Sequence, residues 1–225
     1  MARAISYPSG LATAIEMTYF LLSITNRCNR TCSYCIVREY VNNSVKYPEK
    51  LTLACLVKYF DARASASDAV EITGGEPTLL EWTENFVRYL HSRKILAIMR
   101  TNGFRLFRNI YDNLAIVFNP HDESEEYIEA RKPLLGKQDL IIHPKIVSNQ
   151  KPVFETDETS PLKKHGFKQM RFITADGNIR TMSCTKGSIG NVFDISDSAY
   201  CVACPHCPFM LGAWNIAQRI NFSEG

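Results

Sequence analysis

Short runs rich in β-branched and aromatic residues alternate with helical patterns, and this alternation restricts the fold more than any other feature. The strand candidates are 19–25, 69–73, 95–101, 114–118, 140–147 and 170–174, and the helix candidates are 36–42, 51–64, 81–92, 107–112 and 124–132. Parallel strands are joined by a crossover that is usually a helix, so the pattern predicts βαβ units. Six strands are too few for a closed eight-stranded barrel, which takes about 250 residues. We therefore expect an α/β fold that is open on one side.

The charge and hydropathy of the chain exclude several classes of protein. With 45% hydrophobic and 22% charged residues, the composition excludes a disordered chain, a collagen-like repeat and a coiled coil. A net charge of +3 from scattered basic residues argues against a protein that only coats nucleic acid, though not against an enzyme acting on one. The apolar stretch 17–24 is too short to span a membrane and lacks signal-peptide flanks. We expect a cytoplasmic protein with no membrane partner.

Seven of the eight cysteines fall into two groups. The first group is Cys28, Cys32 and Cys35, and the second is Cys184, Cys201, Cys204 and Cys207. The remaining cysteine, Cys55, lies on the apolar face of a helix candidate, where a small buried side chain is expected. Reducing conditions in the cytoplasm keep thiols free. The two groups therefore predict metal sites rather than disulfides.

The first group has the spacing C-x3-C-x2-C and directly follows the first strand candidate. Three thiolates in one loop can converge on a metal centre, and no fourth Cys or His is nearby to close a tetrahedral zinc site. A 4Fe-4S cluster held by three cysteines leaves one iron with an open position for a substrate or cofactor. A zinc site completed by a distant residue is the alternative that this spacing leaves open.

Further polar motifs stand where the next strand candidates end. Gly74-Gly75-Glu76-Pro77 follows the second strand, Thr101-Asn102-Gly103 ends the third, and Asn119 ends the fourth. Taken alone, the first motif also fits an ordinary strand-to-helix turn, and Asn-Gly after a strand fits a plain turn. Their order along the chain makes the combination more specific than any one of them.

The cysteine spacing, with the aromatic Tyr34 before the last cysteine, resembles the signature loop of the radical S-adenosylmethionine (SAM) superfamily. The Gly-Gly-Glu-Pro and Thr-Asn-Gly motifs resemble two further motifs of that family. The resemblance implies a partial (β/α)6 TIM-like barrel, open on one side, with the cysteine loop after its first strand. It implies that the Gly-Gly-Glu-Pro turn binds the amino group of SAM, since glycines admit close approach and a carboxylate pairs with an ammonium. The implied SAM-binding residues are Tyr34, Gly74, Gly75, Glu76, Pro77, Asn102 and Asn119.

The same resemblance implies the chemistry. SAM would chelate the open iron of a cluster held by the first cysteine group. One electron, from an external reductant such as flavodoxin or ferredoxin, would cleave SAM to methionine and a 5'-deoxyadenosyl radical. That radical would remove a hydrogen atom from the substrate. No side-chain base is needed for this step, so we assign no catalytic side chain.

The second group supplies four thiolates, enough to close a site around either zinc or a second 4Fe-4S cluster. It follows a predicted hairpin at Asp176-Gly177, because Asp-Gly between two apolar runs favours that turn. This context resembles the SPASM and twitch extensions of radical SAM enzymes, and four cysteines fit the twitch form with one auxiliary cluster. The triplet 201–207 is tighter than the usual twitch spacing, which leaves open whether all four cysteines are ligands. We predict a core domain at 1–168 and a small cluster-binding extension at 169–225, with a helix at 211–220.

The sequence thus predicts a radical SAM enzyme with an auxiliary 4Fe-4S cluster that handles electron transfer. A small-molecule or nucleotide-like substrate is favoured over a peptide, and modification of a nucleic-acid base is a further alternative. Two other classes stay open: an electron carrier with two clusters, and a zinc-stabilised interaction protein.

Overall fold

The computed structural model describes residues 17–32, 35, 40–105, 107, 109, 111–120, 125–135, 140–141, 167–180, 188–194 and 201–202. The strands are β1 (Met17–Thr25), β2 (Ala69–Gly74), β3 (Leu96–Thr101), β4 (Leu114–Phe118), β5 (Leu140–Ile141), β6 (Phe167–Ile173), β7 (Asn178–Arg180), β8 (Ser188–Asn191) and β9 (Cys201–Val202). The α-helices are α1 (Leu53–Arg63), α2 (Thr83–Ser92) and α3 (Glu125–Glu129). Two short 3-10 helices cover Pro77–Leu79 and Lys132–Leu134. Within these ranges no helix has the length and apolar character needed to cross a membrane.

The described strands form one sheet in the order β5-β4-β3-β2-β1-β6-β7-β8, and β9 also pairs with β6. All pairs among β1 to β6 are parallel, whereas β7 and β9 run antiparallel to β6, and β8 runs antiparallel to β7. Strand β6 lies beside β1, at the opposite end of the parallel part of the sheet from β5. The parallel part therefore does not close on itself in the described strands, and the predicted α/β class with an open, partial barrel is confirmed.

Helix α1 forms where the sequence supplies both a side-chain cap and an apolar face. At the start of α1 the Thr52 hydroxyl accepts a hydrogen bond from the Cys55 backbone, and the Cys55 thiol accepts one from the Thr52 backbone. This reciprocal cap satisfies backbone N–H groups that the first turn leaves open. Cys55 is half-buried against the core, so it serves as a cap as well as a packing residue. The buried faces of the two longer helices are Leu56, Tyr59 and Phe60 in α1 and Thr83, Phe86, Val87 and Leu90 in α2.

One face of the sheet packs against the helices and forms the main core. The core side chains of the central strands include Phe20, Leu22, Ile72, Met99 and Phe118. The residues between them on each strand point to the other face because side chains alternate along a strand. We call this second face, opposite α1 and α2, the inner face.

The helix prediction at 107–112 is wrong. Of its residues, 107, 109, 111 and 112 are described, and none is helical. The Asn113 side chain donates to the Ile95 carbonyl and lies 2.7 Å from His91 Nδ1, which fixes a turn before β4.

Of two other helix predictions, the one at 36–42 is not matched by its described residues, and the one at 124–132 holds in part. Residues 40–42 form a turn, with Asn42 in the left-handed region at φ 56°, and residues 36–39 lie outside the described residues. The helix predicted at 124–132 is α3 followed by the 3-10 helix Lys132–Leu134. Pro133 has no backbone N–H and disfavours α-helical geometry in the residue before it, so the α-helix ends ahead of it.

The predicted hairpin is confirmed. Strands β6 and β7 pair antiparallel at Phe172↔Arg180 and Ile173↔Ile179, and Gly177 in the turn has φ 84°. Strand β6 also spans the predicted domain boundary at 168 and continues the sheet across it. The division into 1–168 and 169–225 stays a prediction, and the predicted helix at 211–220 lies outside the described residues.

Candidate cofactor and metal site

The Gly-Gly-Glu turn packs against the backbone that leads into the cysteine loop. The Gly75 N–H donates to the Thr25 carbonyl at 2.7 Å, and the Glu76 N–H donates to the Arg27 carbonyl at 2.8 Å. A Cβ atom on Gly75 would lie 2.1 Å from the Arg27 oxygen, and one on Gly74 would lie 2.3 Å from the Thr25 oxygen. Gly74 also has φ 135°, which side chains rarely adopt. Both glycines are therefore required for the turn to contact the start of the loop.

The Glu76 carboxylate joins the ends of β2 and β3. It is buried, and its Oε1 accepts hydrogen bonds from the Thr78 N–H at 2.9 Å, the Thr78 hydroxyl and the Thr101 hydroxyl at 2.7 Å. Its Oε2 accepts from the Asn102 N–H at 2.7 Å. Pro77 starts the 3-10 helix that follows, where its missing N–H has no cost. The carboxylate holds two of the predicted motifs, the turn and Thr-Asn-Gly, against each other.

The side chain of Asn102 connects the end of β3 to the cysteine loop. Its Nδ2 donates to Asn29 Oδ1 at 2.9 Å and lies 4.0 Å from Cys28 Sγ. Its Oδ1 accepts from the Phe104 N–H at 3.0 Å, which fixes the orientation of the amide. Asn102 is thus in place between the sheet edge and the thiols.

Asn119 lies on the same edge of the sheet. Its N–H donates to the Thr101 carbonyl at 2.8 Å, so the end of β4 stands beside the end of β3. The structure brings it next to the Thr-Asn-Gly motif, and its role in binding SAM stays a prediction. Tyr34 lies outside the described residues.

The three cysteines of the first group lie in one loop after β1, half-buried and not in disulfides. The Cys35 N–H donates to the Cys32 carbonyl at 3.2 Å, which folds the loop back on itself. Burial raises the pKa of the Cys28 thiol, a backbone hydrogen bond from Arg30 partly offsets this, and the charges of Glu76, Cys32 and Cys35 raise it further. A bound cation would favour the thiolate form of Cys28 against this unfavourable environment.

Within the described ranges, no three His, Cys, Asp or Glu side chains are arranged so that they could hold a metal ion together. The loop supplies the donor chemistry, three thiols outside any disulfide, without a closed set of ligands. Three thiols, with no fourth ligand among the described residues, fit a 4Fe-4S cluster with one open iron, since thiolates are the ligands such clusters take. They fit a structural zinc site less well, because zinc in such sites takes four protein ligands.

Sequence reasoning missed Asn42, which holds the first cysteine. Asn42 Oδ1 accepts from the Cys28 N–H at 3.0 Å, and its Nδ2 donates to the Cys28 carbonyl at 3.1 Å. Its own N–H donates to the Asn26 carbonyl at 2.7 Å. Asparagine tolerates the left-handed conformation found here. That tolerance is a weak signal, and nothing local connects position 42 to position 28.

Glu49 is the second residue that sequence reasoning missed. Its Oε1 accepts from the Thr25 hydroxyl at 2.6 Å, the Asn26 N–H at 2.6 Å and the Arg27 N–H at 3.2 Å. The Arg27 guanidinium also forms an ion pair with it at 3.3 Å. The carboxylate therefore caps the backbone that enters the cysteine loop. No sequence pattern marks it, because the contact joins residues more than twenty positions apart.

Of the second cysteine group, only the backbone of Cys201 is described, in β9, where it pairs with Met170. Cys184, Cys204 and Cys207 lie outside the described residues. The hairpin that precedes them is anchored to the first half of the chain, since the N–H groups of Lys50 and Leu51 donate to the Ala175 carbonyl at 2.8 and 3.1 Å. The hairpin turn thus contacts the residues that directly follow Glu49.

A comparison with protein families identifies the region that holds this site. Residues 22–119 match the model of the radical SAM superfamily, a span that includes the cysteine loop, the Gly-Gly-Glu-Pro turn, Asn102 and Asn119. The prediction of a radical SAM domain is confirmed for these residues, which make up less than half of the chain.

The curated relatives of the radical SAM domain share a short region with this chain. The GTP 3',8-cyclase of Haemophilus influenzae (strain 86-028NP) is 33% identical over 100 residues, which is 42% of this chain and 28% of that protein. The mitochondrial GTP 3',8-cyclase of Arabidopsis thaliana is 34% identical over 96 residues, 41% of this chain and 24% of that protein. Each alignment thus covers less than a third of the relative's length.

A solved structure shares the fold over most of the chain. The crystal structure of BtrN in complex with AdoMet and 2-DOIA covers 90% of this chain, and 87% of that chain is matched, with a TM-score of 0.52. At 15% identity this similarity shows a common fold only.

Proposed function

We propose that this protein is a radical SAM enzyme that binds a 4Fe-4S cluster through Cys28, Cys32 and Cys35 and cleaves SAM beside it. The observation that carries the proposal is the linkage of three motifs into one unit at the sheet edge. The Glu76 N–H binds the backbone before the loop, its carboxylate binds the Asn102 N–H, and the Asn102 side chain lies 4.0 Å from Cys28 Sγ. A protein that only carried electrons would not need the second and third motifs.

The chain's own residues hold and orient the reactants. The three thiolates bind the cluster, while Asn42 and Glu49 fix the backbone of the loop that carries them. The Gly-Gly-Glu-Pro turn, Asn102, Asn119 and Tyr34 form the SAM site in this proposal. When bound, the cluster would supply the electron for cleavage of SAM to methionine and a 5'-deoxyadenosyl radical, which would remove a hydrogen atom from the substrate. Catalysis of this kind requires that the site keep the radical away from water and other hydrogen donors, and the strand ends around the loop are the part of the sheet that would do so.

The proposed substrate is a nucleotide or another small molecule. The support is that both curated relatives reported above are named GTP 3',8-cyclases. Because the similarity covers less than a third of their length, the reaction on the substrate is part of the proposal. Modification of a peptide or of a nucleic-acid base is the second outcome that a substrate screen would reveal.

The second cysteine group completes the proposal. Cys184, Cys201, Cys204 and Cys207 would bind an auxiliary 4Fe-4S cluster that exchanges an electron with the substrate radical, and zinc is the competing occupant. The anchored hairpin supports this, because it ties the strands before this group to the chain beside the first loop. A flavodoxin or ferredoxin would reduce the protein. Thiolate-bound iron requires reducing conditions, so a cytoplasmic location belongs to the same proposal.

The test is SAM cleavage by the anaerobically reconstituted, reduced protein. We expect 5'-deoxyadenosine to form, and we expect the variant with Cys28, Cys32 and Cys35 replaced by Ala to form none. Cys55→Ala, which changes a cysteine outside both groups, is the matched control and should retain SAM cleavage. If the wild-type protein binds iron but forms no 5'-deoxyadenosine with any candidate substrate, the electron-carrier class is favoured instead.

The proposed auxiliary cluster is tested separately, by measuring iron content. Cys184→Ala should lower the iron content by about one cluster while the first cluster's absorbance persists. A colourless protein that contains zinc and no iron would refute both clusters and favour the interaction-protein class.

A further inference from the structure

The inner face of the sheet carries a network of polar side chains that belongs to none of the motifs described above. Ile72 and Met99 are register partners in β2 and β3 and lie in the core on the helix side. Their chain neighbours Glu71 and Arg100 therefore project from the inner face. Charged side chains are rarely placed at such positions unless they are paired or functional.

Three side chains from three adjacent strands form this network. The Tyr19 hydroxyl of β1 donates to Glu71 Oε2, and Arg100 Nε of β3 donates to Glu71 Oε1. Glu71 is 1% exposed, so both oxygens of a buried carboxylate are occupied by these two donors. The guanidinium is held in place by the carboxylate, and the carboxylate by the phenol.

The charges of the network are fixed at neutral pH. Burial raises the pKa of Tyr19 well above its usual range, and the charge of Glu71 raises it further, so the phenol stays protonated and keeps donating. Burial acts to lower the pKa of Arg100, but the carboxylate of Glu71 outweighs it and leaves the pKa raised. Arg100 therefore carries a full positive charge beneath the strand ends.

Most of the guanidinium is left for another partner. An arginine has five N–H donors, and in the part of the chain that the structure describes Arg100 uses only the one on Nε. Its side chain is 28% exposed, while its partner carboxylate is closed off. A buried ion pair contributes little to stability compared with well-packed apolar side chains, so the pair needs a reason other than folding.

Arg100 also lies close to the candidate SAM site. It immediately precedes Thr101 and Asn102, which donate to Glu76, and the Asn102 side chain reaches toward Cys28. A molecule that occupied the inner face beside the cluster would meet the free N–H groups of the guanidinium. The planar fork of arginine binds carboxylate and phosphate oxygens in pairs.

We propose that Arg100 binds an oxyanion, the carboxylate or phosphate of a small molecule on the inner face, and that Glu71 and Tyr19 position its guanidinium. The inference rests on the proposed function in that the molecule is either the substrate or SAM. Both can carry such an anion, and the experiment separates them.

The test measures binding by calorimetry under anaerobic conditions with two probes, SAM alone and GTP alone. Wild-type protein is compared with Arg100→Gln and with Arg88→Gln, a matched control because Arg88 is exposed on α2. Losing a charge-assisted contact should weaken the affinity of one probe by about 10- to 100-fold. Weaker GTP binding with unchanged SAM binding assigns the anion to the substrate, and the reverse result assigns it to the SAM carboxylate. If Arg100→Gln binds both probes as the wild type does, including no binding by either protein, the proposal is overturned.

Two further variants test whether a folding defect, rather than loss of the guanidinium, explains weaker binding by Arg100→Gln. Arg100→Gln leaves the Glu71 charge unpaired, so the double variant Glu71→Gln with Arg100→Gln removes both charges and should bind as weakly with a normal melting temperature. Tyr19→Phe removes one hydrogen bond to Glu71, and the positioning role predicts a smaller loss of affinity for the same probe.

Failure of the oxyanion site can be distinguished from failure of the proposed function. Formation of 5'-deoxyadenosine by the wild-type protein tests the enzyme class without reference to Arg100. A protein that cleaves SAM but shows no Arg100-dependent binding would overturn only the oxyanion site.

Discussion

Glu76 stabilises the candidate site through both its backbone N–H and its side-chain carboxylate. Its N–H contacts the chain before the cysteine loop, and its carboxylate accepts four hydrogen bonds from Thr78, Thr101 and Asn102. The motif predicted this residue as a partner for an ammonium group. The structure adds a role in joining two strand ends, which spacing along the chain does not reveal.

We predict that Glu76→Gln lowers the free energy of unfolding by about 1–3 kcal/mol, the cost of leaving a buried donor unsatisfied. A carboxamide has one acceptor oxygen, so its NH2 group must face the N–H of either Thr78 or Asn102. Urea denaturation measures the loss, and Glu81→Gln, at an exposed position, should stay within about 0.5 kcal/mol of the wild type. Equal stability of the two variants would contradict the role assigned to the carboxylate.

At the scale of elements, the β6–β7 hairpin depends on the hydrogen bonds of its turn. Asp176 accepts from the Thr174 hydroxyl at 2.5 Å, from the N–H and side chain of Asn178, and from the Arg180 guanidinium at 3.0 Å. Burial acts to raise the pKa of Asp176, but these donors outweigh it and leave the pKa below its usual range. The ionised form is therefore the one that stabilises the turn.

The pH dependence of this element follows from the sign of that shift. The stabilisation by ionised Asp176 is fully present above about pH 3.9, the pKa of an aspartate in the unfolded chain. It is lost as the pH falls through the lower pKa of Asp176 in the folded protein. We predict that Asp176→Asn is less stable than the wild type at pH 7 by about 1–2 kcal/mol. The difference should narrow below about pH 4, because the wild-type carboxyl then becomes protonated. Urea denaturation of both proteins at pH 7 and below about pH 4 measures the difference in the free energy of unfolding. A difference that does not change with pH would refute the role assigned to the ionised Asp176.

Helix and strand predictions succeeded where local periodicity decides the element and failed where distant contacts decide it. Strand β4 has the predicted bounds, and α1 and α2 lie within theirs, because long apolar periodicity fixes the type of element. The predicted helix at 107–112 failed because the Asn113 side chain contacts Ile95 and His91, residues far away in the chain. Periodicity over six residues could not reveal such contacts.

At the scale of the molecule, the hairpin segment is part of the main sheet. Strand β6 pairs with β1 from Met17 to Leu22, and Ile173 and Ile179 lie in the same core as the helices. This bears on whether 168 is a boundary between two independently folding units. A strand that pairs along most of β1 ties the two parts together.

We predict that a chain ended after residue 166 does not unfold cooperatively in urea. Without β6, strand β1 becomes an edge strand with unpaired N–H and C=O groups, and the core loses two buried isoleucines. A chain ended after residue 202 keeps all nine described strands and is the control expected to unfold in one transition. If the shorter chain unfolds as cooperatively as the control, the predicted boundary is a true domain boundary.

The sequence by itself determined the α/β class, the parallel pairing expected of βαβ units and the positions of the cysteine loop and its companion motifs. These follow from periodicity and spacing, which are properties of neighbouring residues. Only the tertiary structure placed β6 beside β1, set Asn42 and Glu49 against the loop, and joined Tyr19, Glu71 and Arg100 on the inner face. Each of these contacts joins residues far apart in the chain, and it forms because buried polar groups must find partners once the sheet has brought them together.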